Sequence, residues 1–441
     1  MKSTFLLFAL PAILLAAGCK KSDSRVASSE LQSSADVRKL SASASPIGDV
    51  VGKVTLGYQG WFSAEGDGSP LNGWGHNNLE MWPDTREYTT TYGNVPFAQE
   101  GKDEPPFSGT LGNGQPAKMF SSYDQSTVNT HFKWMQQNGI DCAALQRFAN
   151  EITPGSNIKA QRDGMAQKVR NAAEASGRKF YIMYDASGWG DLTALKNDWK
   201  NTINGTLKLL SSSAYAKQNG KPVVSIYGLG YAGHPSSATS CLDLINFFKA
   251  QGCYVIGSVA GQWRSGNGDS KPNFSQVYKA FNMISGWAVG RVFDESYTAW
   301  VKGDRDFCKA NGMDYQPCAY PGTAFHNTNG AVSEKNQIPR MHGDFLWNQF
   351  FTFRQAGVNS VYIAMFDELN EATSVFKVAE DASMIPANKY FLTLDADGVH
   401  VSSDFYLRLI NDGGKMLKGL APAQATHPTP FVVAGNKMPK T

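Results

Sequence analysis

From Lys53 onward the chain repeats one arrangement: a short apolar run, a longer amphipathic or polar stretch, a glycine, then the next apolar run. Eight such runs occur, at 54–58, 142–145, 180–184, 222–227, 254–258, 287–293, 315–320 and 361–366. Runs this short read as strands, and the stretches at 128–138, 162–176, 242–251 and 297–311 read as helices. Gly139, Gly177, Gly252 and Gly312 follow those helices, where a left-handed residue lets the chain turn into the next strand. Strands alternating with helices imply a parallel sheet, and eight is the number that closes it. The expected fold is α/β, a (β/α)8 TIM barrel. A doubly wound open sheet is the competing fold; it would be unusually wide, and no Gly-x-Gly-x-x-Gly follows the first strand.

The N-terminus points to export. Lys2 precedes an apolar run at 5–15, and Leu15-Ala-Ala-Gly-Cys19 places small residues ahead of a cysteine. Residues 1–19 therefore read as a lipoprotein signal peptide with Cys19 as the lipidated residue. The run is short for a membrane helix, and no later stretch approaches the roughly 20 apolar residues that a span needs. Residues 20–49, rich in Ser, Lys and Asp, read as a flexible stalk, and 50–441 as the barrel. The expected location is the outer membrane or cell surface of a Gram-negative bacterium, reached through the lipid on Cys19.

With 41 Lys and Arg against 38 Asp and Glu, the net charge is +3. No basic block with interleaved aromatics occurs, so nucleic acid is not an expected partner. Besides Cys19 the cysteines are Cys142, Cys241, Cys253, Cys308 and Cys318, an odd set without metal-ligand spacing. Neither a metal, a cofactor nor a disulfide framework is expected, and the chain reads as a monomer.

Long segments rich in turn residues follow the first and seventh strands, at 63–127 and 323–337. In a parallel barrel, loops after strand ends share one face, the face that carries active sites. Polar and aromatic residues at the strand ends would converge there: Tyr58, Gln59, Trp61, Gln146, Arg147, Asp185, Trp189, Tyr231, His234, Gln262, Trp263, Asp294, Glu295, Tyr320, His326 and Asp367. Of these, Tyr58, Trp61, Arg147, Asp185, His234, Trp263, Asp294, Glu295, Tyr320 and Asp367 are the candidate substrate contacts. Trp61, Trp263 and His234 suit packing and ligand contact alike. Carboxylates, aromatic rings and amides together are what a glycan cleft requires.

The sharpest local feature is Phe366-Asp-Glu-Leu-Asn-Glu-Ala-Thr373, directly after the last strand. Glu368 and Glu371 fall on opposite sides of an extended chain but on one face of a helical turn, so they converge only if the chain leaves the strand near Asp367. They are the candidate catalytic pair. Asp294-Glu295, ending the sixth run, is the rival pair, although it also suits a helix cap.

Three segments resemble the glycoside hydrolase family 71/99-like group: Tyr58-Gln-Gly-Trp61-Phe62, the Gly66-Asp-Gly68 turn with Trp74-Gly-His76, and the Phe366–Lys377 segment. That group is often labelled xylosidase/arabinosidase-like and is related to the endo-alpha-mannosidases of family 99. Phe391-Leu-Thr-Leu-Asp395 and Asp404-Phe-Tyr406-Leu-Arg408 extend the similarity over nearly the whole chain past the stalk. The resemblance implies a barrel whose Glu-x-x-Glu pair falls on Glu368 and Glu371. The first Glu would act as base toward the sugar 2-hydroxyl through a 1,2-anhydro intermediate, and the second as acid/base at the glycosidic oxygen. It adds His76 to the candidate substrate contacts. Asn370 and Ala372 stand where the group's pattern has Asp or His and Gly.

The function expected is therefore hydrolysis of an alpha-linked glycan, mannan-like or a related polysaccharide. Two alternatives stay open: a non-catalytic glycan-binding lipoprotein on the same barrel, and a lipid-anchored interaction protein without a converging pocket.

Overall fold

The computed structural model describes residues 44–76, 78–95, 109–330 and 332–433. The signal peptide, Cys19 and the stalk before Ala44 lie outside the described residues. Eight parallel strands form the barrel: β1 Val54–Tyr58, β2 Cys142–Phe148, β3 Lys179–Asp185, β4 Lys221–Tyr227, β5 Tyr254–Val259, β6 Met283–Gly286, β7 in two pieces, Asp314–Tyr315 and Cys318–Ala319, and β8 Val361–Ile363. The two pieces of β7 close the ring. The first pairs with β6 through Met283 and Asp314, and the second pairs with β8 through Cys318 and Tyr362. Pro317, which has no N–H to donate, separates them while its carbonyl accepts from Tyr362 N at 3.0 Å. β8 in turn pairs with β1, Val361 opposite Val54.

The outer helices are α1 Gln125–Gln137, α2 Asn157–Ser176, α3 Thr193–Asp198, α4 Ala238–Ala250, α5 Ser275–Lys279, α6 Glu295–Ala310, α7 Asp344–Gln355 and α8 Phe405–Leu417. A π-helical segment, Trp199–Thr206, continues α3. Local chemistry sets the helix ends. Ser156, Ser237 and Asp294 cap α2, α4 and α6 with side-chain oxygens, and Gly139, Gly177, Gly252 and Gly312 take φ of 65°, 65°, 79° and 66° in the connections to the next strands.

Strand alternation decides what faces inward. At Gly57 a Cβ would lie 2.3 Å from the Tyr362 hydroxyl and from the end of the Met365 side chain, so any larger residue would have to displace them in the narrow interior. Gln146 Nε2 reaches the same hydroxyl at 3.2 Å, and Gln316 Nε2 donates to Thr55 Oγ1 at 3.4 Å. The alternate residues, such as Leu56, Leu145, Ile182, Val224 and Ile226, are fully or nearly buried under the helices.

Three details depart from the sequence expectation. The sixth strand is Met283–Gly286 rather than 287–293, because Gly290 takes φ 87° and the chain after Trp287 is a loop with Val292 65% exposed. The eighth strand ends at Ile363, earlier than 366. The end of the segment read as a stalk is fastened to the strand-start end of the barrel: Ser45 N donates to Asp314 Oδ1 at 2.8 Å, and the Pro46 carbonyl accepts from Gln218 Nε2 at 2.9 Å. The cysteines at 142, 241, 253, 308 and 318 are buried free thiols. Among the described residues no helix is long and apolar enough to cross a membrane.

Candidate active site

Beyond Ile363 the chain folds back on itself. Met365 N donates to Thr373 O at 3.1 Å, Ser374 N to Glu368 O at 3.0 Å, and Phe376 N to Phe366 O at 3.0 Å, leaving a tight turn at Leu369–Ala372. Neighbouring elements clamp this turn from every side. Arg340 Nη2 donates to the carbonyls of Ala372 and Ser374 at 2.8 and 2.7 Å, while its guanidinium lies 4.7 Å from the centre of the Tyr406 ring. Thr323 Oγ1 donates to the Glu371 carbonyl at 2.7 Å, and Asn370 Nδ2 to the Asn78 carbonyl at 2.5 Å. Asp367 binds the turn to the end of β1, accepting from Gln59 N and Gly60 N at 2.7 and 2.8 Å.

Held this way, Glu368 and Glu371 face one cavity of about 150 Å³ at the strand-end mouth of the barrel. Gln59, Trp61, Gln146, Phe148, Asp185, Tyr227, Trp287, Met365 and Thr373 complete its wall. Glu368 accepts from Gln59 Nε2 at 3.0 Å and from Asn370 N at 2.9 Å. No hydrogen bond to the Glu371 carboxylate is formed by any described residue. Burial raises both carboxyls above the ordinary glutamic range, and the Glu371 charge pushes Glu368 further. Asp185 is raised too, by burial, against hydrogen bonding from Ser187. Two like charges this well shielded cannot both ionise easily, so the pair is built to retain a proton. Buried polar atoms without a protein partner cluster on the wall: Gln59 Oε1, Trp61 Nε1 and Thr373 Oγ1. Such atoms mark a place where a polar ligand completes the hydrogen bonding.

Trp61 and Asp185 line the cavity with the glutamates. Trp61 stacks on the His76 ring, 3.9 Å away, and on Phe148, 5.6 Å away at a shallow angle, so an edge of the indole rather than a face is left to the cavity. His76 stands behind it, and burial holds its imidazole down to about 4, hence neutral. His234 stacks on Tyr231 outside the cavity wall, its Nδ1 2.8 Å from the Gly228 carbonyl.

The other candidates are placed elsewhere. Tyr58 and Arg147 occupy outward positions in β1 and β2. Tyr58 meets His131 Nδ1 of α1 at 2.9 Å, and Arg147 forks onto Asp198 at 2.7 and 2.6 Å and reaches Asp163 at 2.6 Å. Trp263 is buried, with Nε1 on Asp304 at 2.9 Å. The Tyr320 hydroxyl donates to the Arg291 carbonyl, deep in the packing. Asp367 spends both oxygens on backbone N–H groups; its carboxyl, raised to about 6 by burial, holds the turn rather than facing the cavity. Asp294 is the exposed N-cap of α6, accepting from Tyr297 N at 3.1 Å, and Glu295 lies in that helix's first turn. Neither lines the cavity of Glu368 and Glu371.

Phe148, Tyr227, Trp287, Met365 and Thr373 line the wall without having been singled out. Phe148 and Tyr227 share the inward phase of Gln146 and of β4, a signal that strand alternation carries. Trp287 was overlooked because it opened the run read as a strand.

Ala372, fully buried, has φ 53°. A non-glycine residue in that region costs about 1–2 kcal/mol. Glycine would remove the strain but lose a buried methyl, about 0.8 kcal/mol, and loosen the unfolded chain by about 0.4–1 kcal/mol. Ala372→Gly is therefore expected to leave the denaturation midpoint nearly unchanged, whereas Ala372→Val lowers stability by about 2 kcal/mol or more.

The structure is thus a (β/α)8 barrel with a carboxylate-bearing cavity at the strand ends. No family model matches the chain, and no curated protein matches it. Among solved structures it is similar to two of the GH99 endo-alpha-mannosidase from Bacteroides thetaiotaomicron. The one in complex with Bis-Tris-propane aligns with TM-score 0.61 at 12% identity, over 84% of this chain and 98% of that one. The other gives 0.59 at 14% identity over the same shares. At these identities the likeness is one of fold.

Proposed function

We propose that this protein is a glycoside hydrolase that cleaves an alpha-linked glycan, mannan-like or a related polysaccharide, with Glu371 as acid/base and Glu368 as base or nucleophile. The observation that carries the reading is two buried carboxyls on one clamped turn, facing a common polar and aromatic cavity at the mouth of the barrel. A glycosidic oxygen leaves poorly unless it is protonated, so one carboxyl must hold a proton while its partner stays ionised. Burial raises both groups and the Glu371 charge raises Glu368 further, against its two N–H donors, so the pair holds one proton between them; the division of roles follows the similarity of the Glu-x-x-Glu pair, with Glu371 at the glycosidic oxygen. Gln59, Gln146 and Asp185 supply contacts for sugar hydroxyls, and the Trp61 edge with the Tyr227 and Trp287 rings bounds the sugar's apolar face. The fold shared with an endo-alpha-mannosidase supports the alpha-linked substrate class.

The test is incubation of the protein with alpha-mannans, alpha-glucans and plant xylans, followed by analysis for released sugars. Release from an alpha-linked member supports the reading, and release from none of them contradicts it.

We also propose that lipid on Cys19 tethers the enzyme to a membrane, at the outer membrane or cell surface. The hydrophobic run before a small-small-Cys sequence supports this. Cys19→Ala is expected to abolish lipid labelling and membrane recovery while leaving the thermal transition of the barrel unchanged. Membrane retention of that variant would refute the tether.

A further inference from the structure

The strand-start end of the barrel, opposite the cavity of Glu368 and Glu371, is basic in a chain whose net charge is only +3. Lys53 precedes β1, Lys179 and Lys221 open β3 and β4, and Lys217 stands in a short strand, Lys217–Gln218, that pairs antiparallel with β4. Lys249 lies in the last turn of α4, where the chain turns toward β5. Lys217, Lys221 and Lys249 are exposed, and Lys53 and Lys179 partly so. Two of these neighbours already repel each other: burial lowers the Lys249 ammonium below the ordinary lysine range, and the charge on Lys221 lowers it further.

The carboxylates at this end are engaged. Asp141 accepts from Lys418 Nζ at 2.6 Å and from Val54 N at 2.8 Å. Asp49 accepts from Lys217 N at 2.8 Å and lies 3.7 Å from Lys179 Nζ. Asp314 is buried against Ser45 N and the Tyr254 hydroxyl. None of the described acids forms an ion pair with Lys53, Lys217, Lys221 or Lys249. A lysine in the last turn of a helix can serve the helix dipole, which accounts for Lys249 alone, since the other three lie on no helix. At the mouth, exposed Glu65, Asp191, Asp294 and Glu295 give the opposite sign, and Arg264 and Arg291 are matched by Asp304 and Asp269.

Two further features share the basic end. Ser45 and Pro46 are fastened there, so the chain coming from Cys19 arrives at this face. Ile47, beside them, and Leu420, just past α8, are 71% and 75% exposed. We propose that this end docks on an anionic bilayer: the lysines meet lipid phosphates, Ile47 and Leu420 sit among the headgroups, and the cavity of Glu368 and Glu371 faces away from the membrane. The proposal rests on the tether at Cys19 to bring the membrane to the face, and on nothing in the hydrolase reading. Surface charge acts within a Debye length, about 8 Å at physiological salt, so the face orients a tethered protein and does not retain an untethered one.

Brief acetylation by a water-soluble reagent, read by peptide mass spectrometry, tests this on the lipidated protein in two kinds of vesicle: phosphatidylcholine, and an equal mixture of phosphatidylcholine and phosphatidylglycerol. Lys217, Lys221 and Lys249 should react about fivefold more slowly on the mixed vesicles, while Lys302, in the mouth half of α6, and Lys335, in a mouth loop, keep their rates. High salt should abolish the difference. Lys217→Gln with Lys221→Gln should roughly halve the protection of Lys249. Lys302→Gln with Lys335→Gln, the same loss of charge elsewhere, should leave that protection intact. Equal rates on the two vesicles, equal slowing of all these lysines, Lys249 protection unaltered by the first double substitution, or the same protection from inorganic phosphate over phosphatidylcholine would each overturn the face. The mass of the N-terminal peptide reports lipidation separately. Lipidated protein without protection refutes the face and leaves the tether standing. Protein without lipid refutes the tether, and the face is then upheld or overturned by the same rates at an excess of mixed vesicles.

Discussion

Glu371→Gln and Glu368→Gln should each lower turnover by about 10²-fold or more while glycan binding stays near normal. Glutamine keeps the shape and the capacity to accept hydrogen bonds from Gln59 and Asn370 but cannot exchange a proton at the reacting bond. The two defects should separate with the leaving group. On an aryl glycoside whose leaving group needs no protonation, the Glu371→Gln defect shrinks and the Glu368→Gln defect persists. Asp294→Asn, by contrast, should be close to wild type, because asparagine caps a helix as well as aspartate and the residue lies outside the cavity. Steady-state kinetics on the two substrate types check this. Full turnover in both glutamine variants together with loss in Asp294→Asn would move the chemistry to the start of α6.

Arg147→Ala should destabilise the fold by about 3–5 kcal/mol. The side chain is 2% exposed and forks onto an equally buried Asp198, which also accepts from the Tyr184 hydroxyl at 2.7 Å. Removing the guanidinium strands that carboxylate, with Lys159 Nζ 4.0 Å away as its nearest remaining cation. Paired replacement by apolar residues, Arg147→Met with Asp198→Leu, should recover much of the loss, since no uncompensated charge then remains. Urea denaturation of the three proteins measures the difference. A single variant with an unchanged midpoint and a raised KM would instead put Arg147 in contact with the glycan.

The architecture was legible because it rests on local rules. Gly139, Gly177, Gly252 and Gly312 could mark the helix-to-strand connections without knowledge of anything distant, and eight strands then left little choice of topology. The sixth strand was misplaced because apolar character alone does not separate a strand from a cavity-lining loop. Met283–Gly286 is only four residues long, whereas the longer run after it covers the wall of one cavity and the border of another. The acidic turn was legible for a similar local reason: three carboxyls after a buried strand have few bland uses. Its internal division was not. Asp367 turns back onto Gln59 N and Gly60 N, a contact across 308 and 307 residues that no spacing rule encodes. Strand ends alone overcollected contacts such as Tyr58 and Arg147, because adjacent residues in a strand face opposite sides. Applying that alternation to β2 selects Gln146 and Phe148 and sends Arg147 to the helices. Trp61 shows a further limit, since its position was readable but its stacking on His76 and Phe148, which leaves an edge to the cavity, was not.

The pH dependence of kcat/KM on an alpha-linked oligosaccharide tests most directly whether the Glu368 and Glu371 cavity performs the cleavage. Activity requires one carboxyl ionised and one protonated, so the profile should be bell-shaped. It rises as the pair loses its first proton and falls as it loses the second, with both apparent constants belonging to the pair. Because burial raises both groups, both limbs should lie above the ordinary glutamic pKa of about 4.3. In Glu371→Gln, measured on the aryl glycoside, the alkaline limb should disappear while the acidic limb remains. A wild-type bell placed below that ordinary value, or the same two limbs in the wild type and in Glu371→Gln, would contradict the account.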